Sequence, residues 1–202
     1  MDYSYENNAI LNGYKTVCGI DEAGRGPLAG PVYAAAVILP TGLQIEGLND
    51  SKKLSEKKRE ALFDVIREKA ISCSIGIATE KEIDDINILN ATFLAMKRAV
   101  EGLNVKPDYA LIDGNRYPNI NANIKEEVVV KGDAKSMSIA AASILAKVSR
   151  DRFMLEMTKE YPEYCFEKHK GYGTKLHYEK LLEYGPSPIH RMTFLKKLYG
   201  EK

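Results

Sequence analysis

The chain has 202 residues, enough for one core that buries roughly 70% of the surface an unfolded chain exposes. Lys and Arg total 29 against 28 Asp and Glu, so net charge points to no nucleic-acid or membrane partner, and only the placement of the charges can. The three cysteines, Cys18, Cys73 and Cys165, lie far apart, which excludes a disulfide scaffold and a close-spaced zinc knot.

Residues 1 to 15 predict a short arm or a small helix. The polar, acidic start has neither a basic nor an apolar leader region, and no apolar run is long enough to span a membrane, so a cytoplasmic protein is expected. A first strand follows from Val17 to Asp21, with Cys18 and Ile20 inward at a period of two. Asp21 and Glu22 arrive where the apolar run stops. In extended backbone they point to opposite faces, so a bend or bulge is expected if both serve one site. A third charge, Arg25, follows, and Gly24, Gly26, Pro27, Gly30 and Pro31 form a turn of alternately permissive and rigid residues. Two readings stay open here: solvated acids ending a strand, or a built site. A dinucleotide fingerprint fits poorly, because Gly30 stands one residue too late and Pro31 opens an alternating run.

Val32 to Pro40 is a second strand, suggesting an antiparallel pair with the first. Its Ala34-Ala35-Ala36 run allows a neighbouring backbone to come close. Ser55 is placed to cap a helix carrying Ala61, Leu62, Val65, Ile66 and Ala70 on one face. Lys57, Lys58 and Arg59 crowd its start, either solvated or awaiting phosphate. Ile71 to Ala78 alternates large with small residues and predicts a third strand with a small-residue outer face. Glu80 to Ile88 reads as a charged linker or short helix, after which Asn90 or Thr92 opens a helix with Phe93, Met96, Val100 and Leu103.

Pro107 to Asp113 and Ile124 to Val130 give the fourth and fifth strands, the latter turning at Lys131-Gly132-Asp133. Ser136 or Ser138 then opens the longest helix, whose first turns are small and apolar and which ends at Tyr161-Pro162. A helix from His177 to Glu183 and an amphipathic piece from Arg191 to Tyr199 close the chain. Strands interleaved with helices and an early hairpin predict an α/β protein with a mixed sheet and helices on its faces.

Asp21, Glu22, Asp113 and Asp133 all stand at predicted strand ends. Should those ends converge, four carboxylates raise one another's pKa or recruit a cation, and oxygen-only ligation suits Mg²⁺ or Mn²⁺ rather than zinc. His169, His177 and His190 match no zinc spacing and are expected to be structural or exposed. Neither a phosphate-binding Gly-x-x-x-x-Gly-Lys-Ser/Thr loop nor a nucleophile elbow occurs.

Asp21-Glu22-Ala23-Gly24-Arg25-Gly26-Pro27 resembles the signature of bacterial type 2 ribonuclease H, ribonuclease HII. The likeness extends through Leu48-Asn49-Asp50-Ser51-Lys52-Lys53-Leu54, Ile112-Asp113-Gly114-Asn115, Lys131-Gly132-Asp133 with the helix from Ser138 to Asp151, and Lys170-Gly171-Tyr172-Gly173-Thr174. Gly173 departs from the proline that many members carry, which bears on loop stiffness. Ala23 stands where the sister type 3 enzymes typically have serine, and the sixteen residues before Val17 leave no room for their N-terminal domain.

The resemblance implies a ribonuclease H-like fold: a central mixed five-stranded sheet, helices on both faces and a C-terminal helical portion. It implies one catalytic domain over residues 1–202, with roughly 165–202 contacting substrate. By the same likeness Asp21, Glu22, Asp113 and Asp133 are the catalytic, metal-holding residues for two Mg²⁺ or Mn²⁺ ions in the presence of substrate. Gly24, Arg25 and Gly26 read the ribose 2′-hydroxyl through backbone groups, and Tyr172 meets the sugar at the RNA–DNA junction, against the plainer reading of an aromatic packed at a helix start. Lys52 and Lys53, with Lys147 or Lys170, are candidate phosphate contacts, while Asp151 is expected outside the metal shell as an ion-pair partner. The implied activity is cleavage of the RNA strand of RNA–DNA hybrids, and 5′ to single ribonucleotides in duplex DNA, leaving 5′-phosphate and 3′-hydroxyl ends. A non-catalytic hybrid-binding module, or another two-metal nuclease of this fold, is the alternative. A monomer is expected, and the stretch from Lys196 to Lys202 shows no sliding-clamp peptide.

Overall fold

The computed structural model describes residues 1–200; Glu201 and Lys202, the end of the stretch read for a clamp peptide, lie outside the described residues. The strands are β1 (Val17–Ala23), β2 (Val32–Ile38), β3 (Ser72–Ala78), β4 (Tyr109–Asp113) and β5 (Lys125–Val129). They form one mixed sheet in the order β3-β2-β1-β4-β5. β2 runs antiparallel to β1 and β3, while β1, β4 and β5 run parallel. The expected ribonuclease H-like fold, including its hairpin, is the one observed.

Period-two alternation sends the side chains of β1, β2 and β4 to two buried faces. Cys18, Ile20, Ala34, Ala36, Ala110 and Ile112 pack against Ala91, Ala95 and Ala99 of α3 (Glu80–Glu101). Ala35 and Val37 face Ala141, Ile144 and Leu145 of α4 (Met137–Glu160), with Leu62, Phe63 and Ile66 of α2 (Glu56–Lys69) closing that layer. Because α4 is sandwiched between the sheet and α2, every residue from Met137 to Ala146 is buried. A Cβ on Gly19 would strike the backbone of Ser138 and Ile139, so this glycine lets α4 lie directly on β1. Each fully buried isoleucine, such as Ile20, Ile112 or Ile144, contributes about 1.5–3 kcal/mol.

Three expectations are corrected. The small-residue face of β3 is covered, not outer: a Cβ on Gly76 would collide with the α3 backbone at Ala95 and Ala99, so closeness of α3 demands the small side chains. Ile71 and Ile77 stand exposed instead. The helix around residue 90 starts at neither Asn90 nor Thr92. Asn87 breaks the path of α3 with φ 67° and its Oδ1 accepts from the Leu89 and Asn90 amides, capping the second half. The first half begins at Thr79, whose hydroxyl and the Glu82 carboxylate form a reciprocal cap. Finally, the piece expected from Arg191 to Tyr199 is helical only over Met192–Leu195.

The N-terminal segment is a helix, α1 (Ser4–Leu11). Ser55 and Ser136 cap α2 and α4 through their side chains. The C-terminal helices α5 (Phe166–His169), α6 (Lys175–Tyr184) and α7 (Met192–Leu195) gather around Phe166, Leu181, Leu195 and Met154, with Leu28 and Ala29 of the glycine turn in the same cluster. No helix of the described residues is long and apolar enough to cross a membrane.

Candidate active site

Parallel pairing of β1 with β4 places Ile20 opposite Ile112, so Asp21 and Asp113 end neighbouring strands on the α4 face. Asp133 joins them from a short turn after β5, where Lys131 adopts φ 57°. Oxygens of Asp21, Asp113 and Asp133 lie within 4.8 Å of one another. Backbone amides hold two of them: Glu22 N–H donates to Asp21 Oδ1 at 2.7 Å, and Gly132 N–H to Asp113 Oδ1 at 2.6 Å.

Asp21 is 3% exposed, and burial, reinforced by the Glu22 and Asp113 charges, pushes its carboxyl well above the usual carboxylate range. Burial likewise raises Asp113, with the Asp133 charge adding to it. Lys52 Nζ donates to Asp133 Oδ2 at 2.9 Å and so brings a positive charge to the crowded oxygens. That hydrogen bond raises the Lys52 pKa in turn. Carboxylates this close, buried and already drawing in an ammonium group form a donor set that fits a hard divalent cation.

Glu22 corrects the expected bend. β1 stays extended and paired in register to Ala23, so Asp21 and Glu22 do point to opposite faces. The cleft itself wraps round the strand end, and both acids line it. Glu22 reaches it from the α3 side, where Arg25 Nη1 lies 3.3 Å from Oε1. Burial raises the Glu22 pKa, Arg25 opposes that shift, and Asp113 adds to it.

The turn after β1 forms the opposite wall. Gly24 has φ 98° and a Cβ there would run into the Arg150 side chain, so both backbone angle and space require glycine. Gly26 is different: its φ is not positive, and a Cβ would sit 3.9 Å from the Tyr172 ring, open to the cleft. Sequence reasoning missed what holds this turn. Arg191, fully buried, donates to Gly24 O at 2.6 Å, Arg25 O at 2.9 Å and Gly30 O at 2.6 and 2.8 Å. Arg150, also fully buried, donates to Ala29 O at 3.1 Å and Pro31 O at 3.3 Å. Burial and the Arg150 charge pull Arg191 down to about 9, still protonated at neutral pH. The carbonyls of Gly24 and Arg25 are therefore occupied, leaving amides rather than carbonyls for a ligand. The signal available in the sequence was Arg150 itself, four residues from Ala146 and from Met154 on the buried side of α4.

Tyr172 stands at the rim, 42% exposed, its ring 5.9 Å from Lys147 Nζ and 5.7 Å from the Arg150 guanidinium. Its ring lines the cleft. Lys147 lines the cleft and holds Asp151 at 2.7 Å, so Asp151 is an ion-pair partner as expected. Lys53 and Lys170 are not brought into the cleft; Lys53 is exposed, and Lys170 Nζ donates to Glu167 O at 2.8 Å. Ser51 and Ser143, given no role from the sequence, also line it with their hydroxyls 2.7 Å apart, as does Arg59 from the basic cluster at the start of α2. The three histidines are buried, in line with a structural role.

Residues 18–197 match the family model described as Ribonuclease HII. The ribonuclease HII of Acetivibrio thermocellus is 62% identical over 192 residues, covering 95% of this chain and 74% of that one. That of Caldicellulosiruptor saccharolyticus is 56% identical over 196 residues, covering 97% and 95%. Among solved structures, ribonuclease H2 from Pyrococcus horikoshii OT3 superposes with a TM-score of 0.74 at 28% identity, over 93% of this chain and 100% of that one.

Proposed function

The chain belongs to the ribonuclease HII family and is a type 2 ribonuclease H, and on that premise we propose how its cleft performs the reaction. The substrate is the RNA strand of RNA–DNA hybrids and the single ribonucleotide in duplex DNA, cut on its 5′ side to leave 5′-phosphate and 3′-hydroxyl ends. The observation that carries this reading is the meeting of Asp21, Asp113 and Asp133 oxygens within 4.8 Å, beside the Gly24–Gly26 turn. Three acids on one face of the strand ends and Glu22 on the other suit two Mg²⁺ or Mn²⁺ ions, with Asp113 adjacent to both groups. Ions held there supply an activated water and charge stabilisation of the leaving 3′-oxygen.

The remaining roles fall to this chain's own groups. The amides of the Gly24–Gly26 turn, locked by Arg150 and Arg191, meet the 2′-hydroxyl, the handle that distinguishes ribose from deoxyribose. Arg25 offers a guanidinium fork to the scissile phosphate once it leaves Glu22. Tyr172 presents its ring to the sugar at the junction. Lys52 and Lys147 contact phosphates from inside the cleft, Lys53 and Lys170 from outside it. We read residues 1–202 as one catalytic domain acting as a monomer, with 165–202 as the portion that braces the substrate wall. Its three cysteines are unpaired, which suits the reducing cytoplasm. A silent hybrid-binding module is disfavoured because Asp21, Glu22 and Asp113 line the cleft and an Asp133 oxygen lies within 4.8 Å of those of Asp21 and Asp113. The test is cleavage of a labelled duplex carrying one ribonucleotide, with Mg²⁺, Mn²⁺ or chelator. A cut 5′ to the ribonucleotide that chelator abolishes is expected; cleavage indifferent to chelator overturns the assignment.

A further inference from the structure

Beneath the Tyr172 loop lies a group of buried imidazoles. The rings of His169 and His177 stack at 4.3 Å, and His177 Nε2 lies 2.9 Å from His190 Nε2. His177 is fully buried, His190 3% exposed and His169 6% exposed.

The partners fix every proton. His177 Nδ1 is 3.0 Å from Tyr172 O, and a carbonyl only accepts, so Nδ1 carries the hydrogen. His177 Nε2 is then a lone pair and must accept from His190 Nε2–H. That leaves His190 Nδ1 as an acceptor, which is what the Ser187 amide at 2.9 Å requires, with the Ser187 hydroxyl 2.8 Å from the same nitrogen. His169 follows the same logic: Nε2–H donates to Tyr164 O at 2.9 Å and Nδ1 accepts from the Gly171 amide at 3.2 Å. All three rings are neutral, and an added proton on His177 would set two donors against each other. Burial agrees, pushing His177 down to about 4 and His190 to about 3.

Through its next residue the relay also reaches the glycine turn. His190 precedes Arg191, whose amide donates to Leu28 O at 2.9 Å, while Leu28 N–H donates to Gly171 O at 2.8 Å. The turn is thus clasped between the Tyr172 loop and the His190-Arg191 strip. We propose that His177 and His190 are positioning residues for the cleavage reaction, a directional chain of neutral imidazoles from Ser187 to the Tyr172 carbonyl that sets the Tyr172 ring relative to the glycine turn. The inference rests on the reading of Tyr172 as a substrate contact.

The experiment is a double-mutant cycle on the one-ribonucleotide duplex with Mg²⁺, comparing Tyr172→Ala, His177→Phe, the pair, and His177→Asn. His177→Phe keeps a ring but leaves His190 Nε2–H unpaired and Tyr172 O with the Thr174 amide alone, and kcat/KM should fall about tenfold. His177→Asn, whose amide can stand in for Nδ1–H, should recover to within about threefold of the parent. The double variant should be no slower than Tyr172→Ala alone, since both act through one ring. Multiplying losses, or an asparagine variant as slow as the phenylalanine one, would mean general destabilisation and overturn the proposal. A normal His177→Phe beside an impaired Tyr172→Ala overturns it too, whereas a normal Tyr172→Ala removes the substrate-contact reading beneath it. Imidazole ¹⁵N spectra of the unmutated protein judge the relay independently of how any variant folds. Nδ1–H on His177 and Nε2–H on His169 and His190 are expected; a charged or Nε2–H His177 overturns it.

Discussion

The two walls of the cleft are built on opposite principles. On one, Asp21, Asp113 and Asp133 crowd side-chain charge at the ends of β1 and β4 and the turn after β5, at the expense of stability. On the other, residues 24–31 present backbone, and the charges, Arg150 and Arg191, lie behind it with the carbonyls they hold. The acid wall is repulsive until a cation arrives, whereas the carbonyls of the glycine wall are satisfied in advance. The contrast separates the tasks: the first wall needs a ligand to be stable, and the second must keep one shape whether or not a ligand is present.

Removing one charge from the acid wall should give the largest effect. Asp21→Asn keeps volume but loses a charged ligand, and kcat/KM should fall by about 10³-fold or more. The same variant should melt at a higher temperature than the parent in chelator, because a carboxyl whose folded pKa is raised penalises the folded state when ionised. Added Mg²⁺ should stabilise the parent more than the variant. Activity within a few-fold of the parent, read in the cleavage assay, would return Asp21 to the role of a strand-end acid.

Breaking the glycine wall should do the reverse. Arg191→Met removes hydrogen bonds to three carbonyls while retaining the bulk of the side chain. Stability should drop by about 3 kcal/mol in urea unfolding. Mn²⁺ affinity measured by calorimetry should stay within about threefold, since the acids hang on β1, β4 and the turn after β5. A joint loss of stability and metal affinity would show that the walls are one unit.

Acid pH pulls the two regions apart without mutation. His177 and His190 have folded pKa values pushed below 6.5, so the unfolded chain binds more protons as pH falls from about 6.5 towards 4. Their contribution to stability is complete above 6.5 and is lost through that window. Asp21, Glu22 and Asp113 act oppositely, since their raised values mean that protonation relieves a folded-state penalty. Apo protein should therefore lose less stability on mild acidification than Mg²⁺-loaded protein, whose acids have no penalty left to relieve. Thermal melts from pH 7 to 5 with and without Mg²⁺ check the sign.

The acid wall was largely legible because strand ends are marked by the close of a period-two pattern, and carboxylates there have a direction. Asp21, Asp113 and Asp133 followed from that pattern, and the family resemblance supplied their convergence. Glu22 was half legible: alternation sent it to the other face, but not round the strand end into the same cleft. The small-residue face of β3 was misassigned because alternation separates two faces without saying which helix presses on which. Arg150 and Arg191 escaped because arginine reads as surface, and what buries them is a set of carbonyls more than a hundred residues earlier in the chain. The histidine relay escaped for a similar reason, since the spacing of His169, His177 and His190 follows no helical or metal-binding period.

The smallest expected effect concerns the lysine pair next to the acid wall. Lys52 and Lys53 are adjacent, yet only Lys52 is engaged, its ammonium 2.9 Å from Asp133 while Lys53 is free in solvent. An exposed phosphate contact lowers the salt dependence of duplex binding by about 0.9 in log–log slope when removed. Lys53→Ala should therefore reduce the slope by about that amount with or without divalent ion. Lys52 differs, because in chelator its charge is committed to neutralising Asp133, and Lys52→Ala should then leave the slope nearly unchanged. With Mg²⁺ present the acids have another counter-charge, Lys52 is released towards the duplex, and its removal should lower the slope by about 0.9 as well. Fluorescence anisotropy with a non-cleavable duplex across a salt series, in Mg²⁺ and in chelator, distinguishes the two lysines. An identical Lys52→Ala slope in both conditions would mean that the ion pair with Asp133 does not compete with phosphate, and that the acid wall and the substrate are neutralised independently.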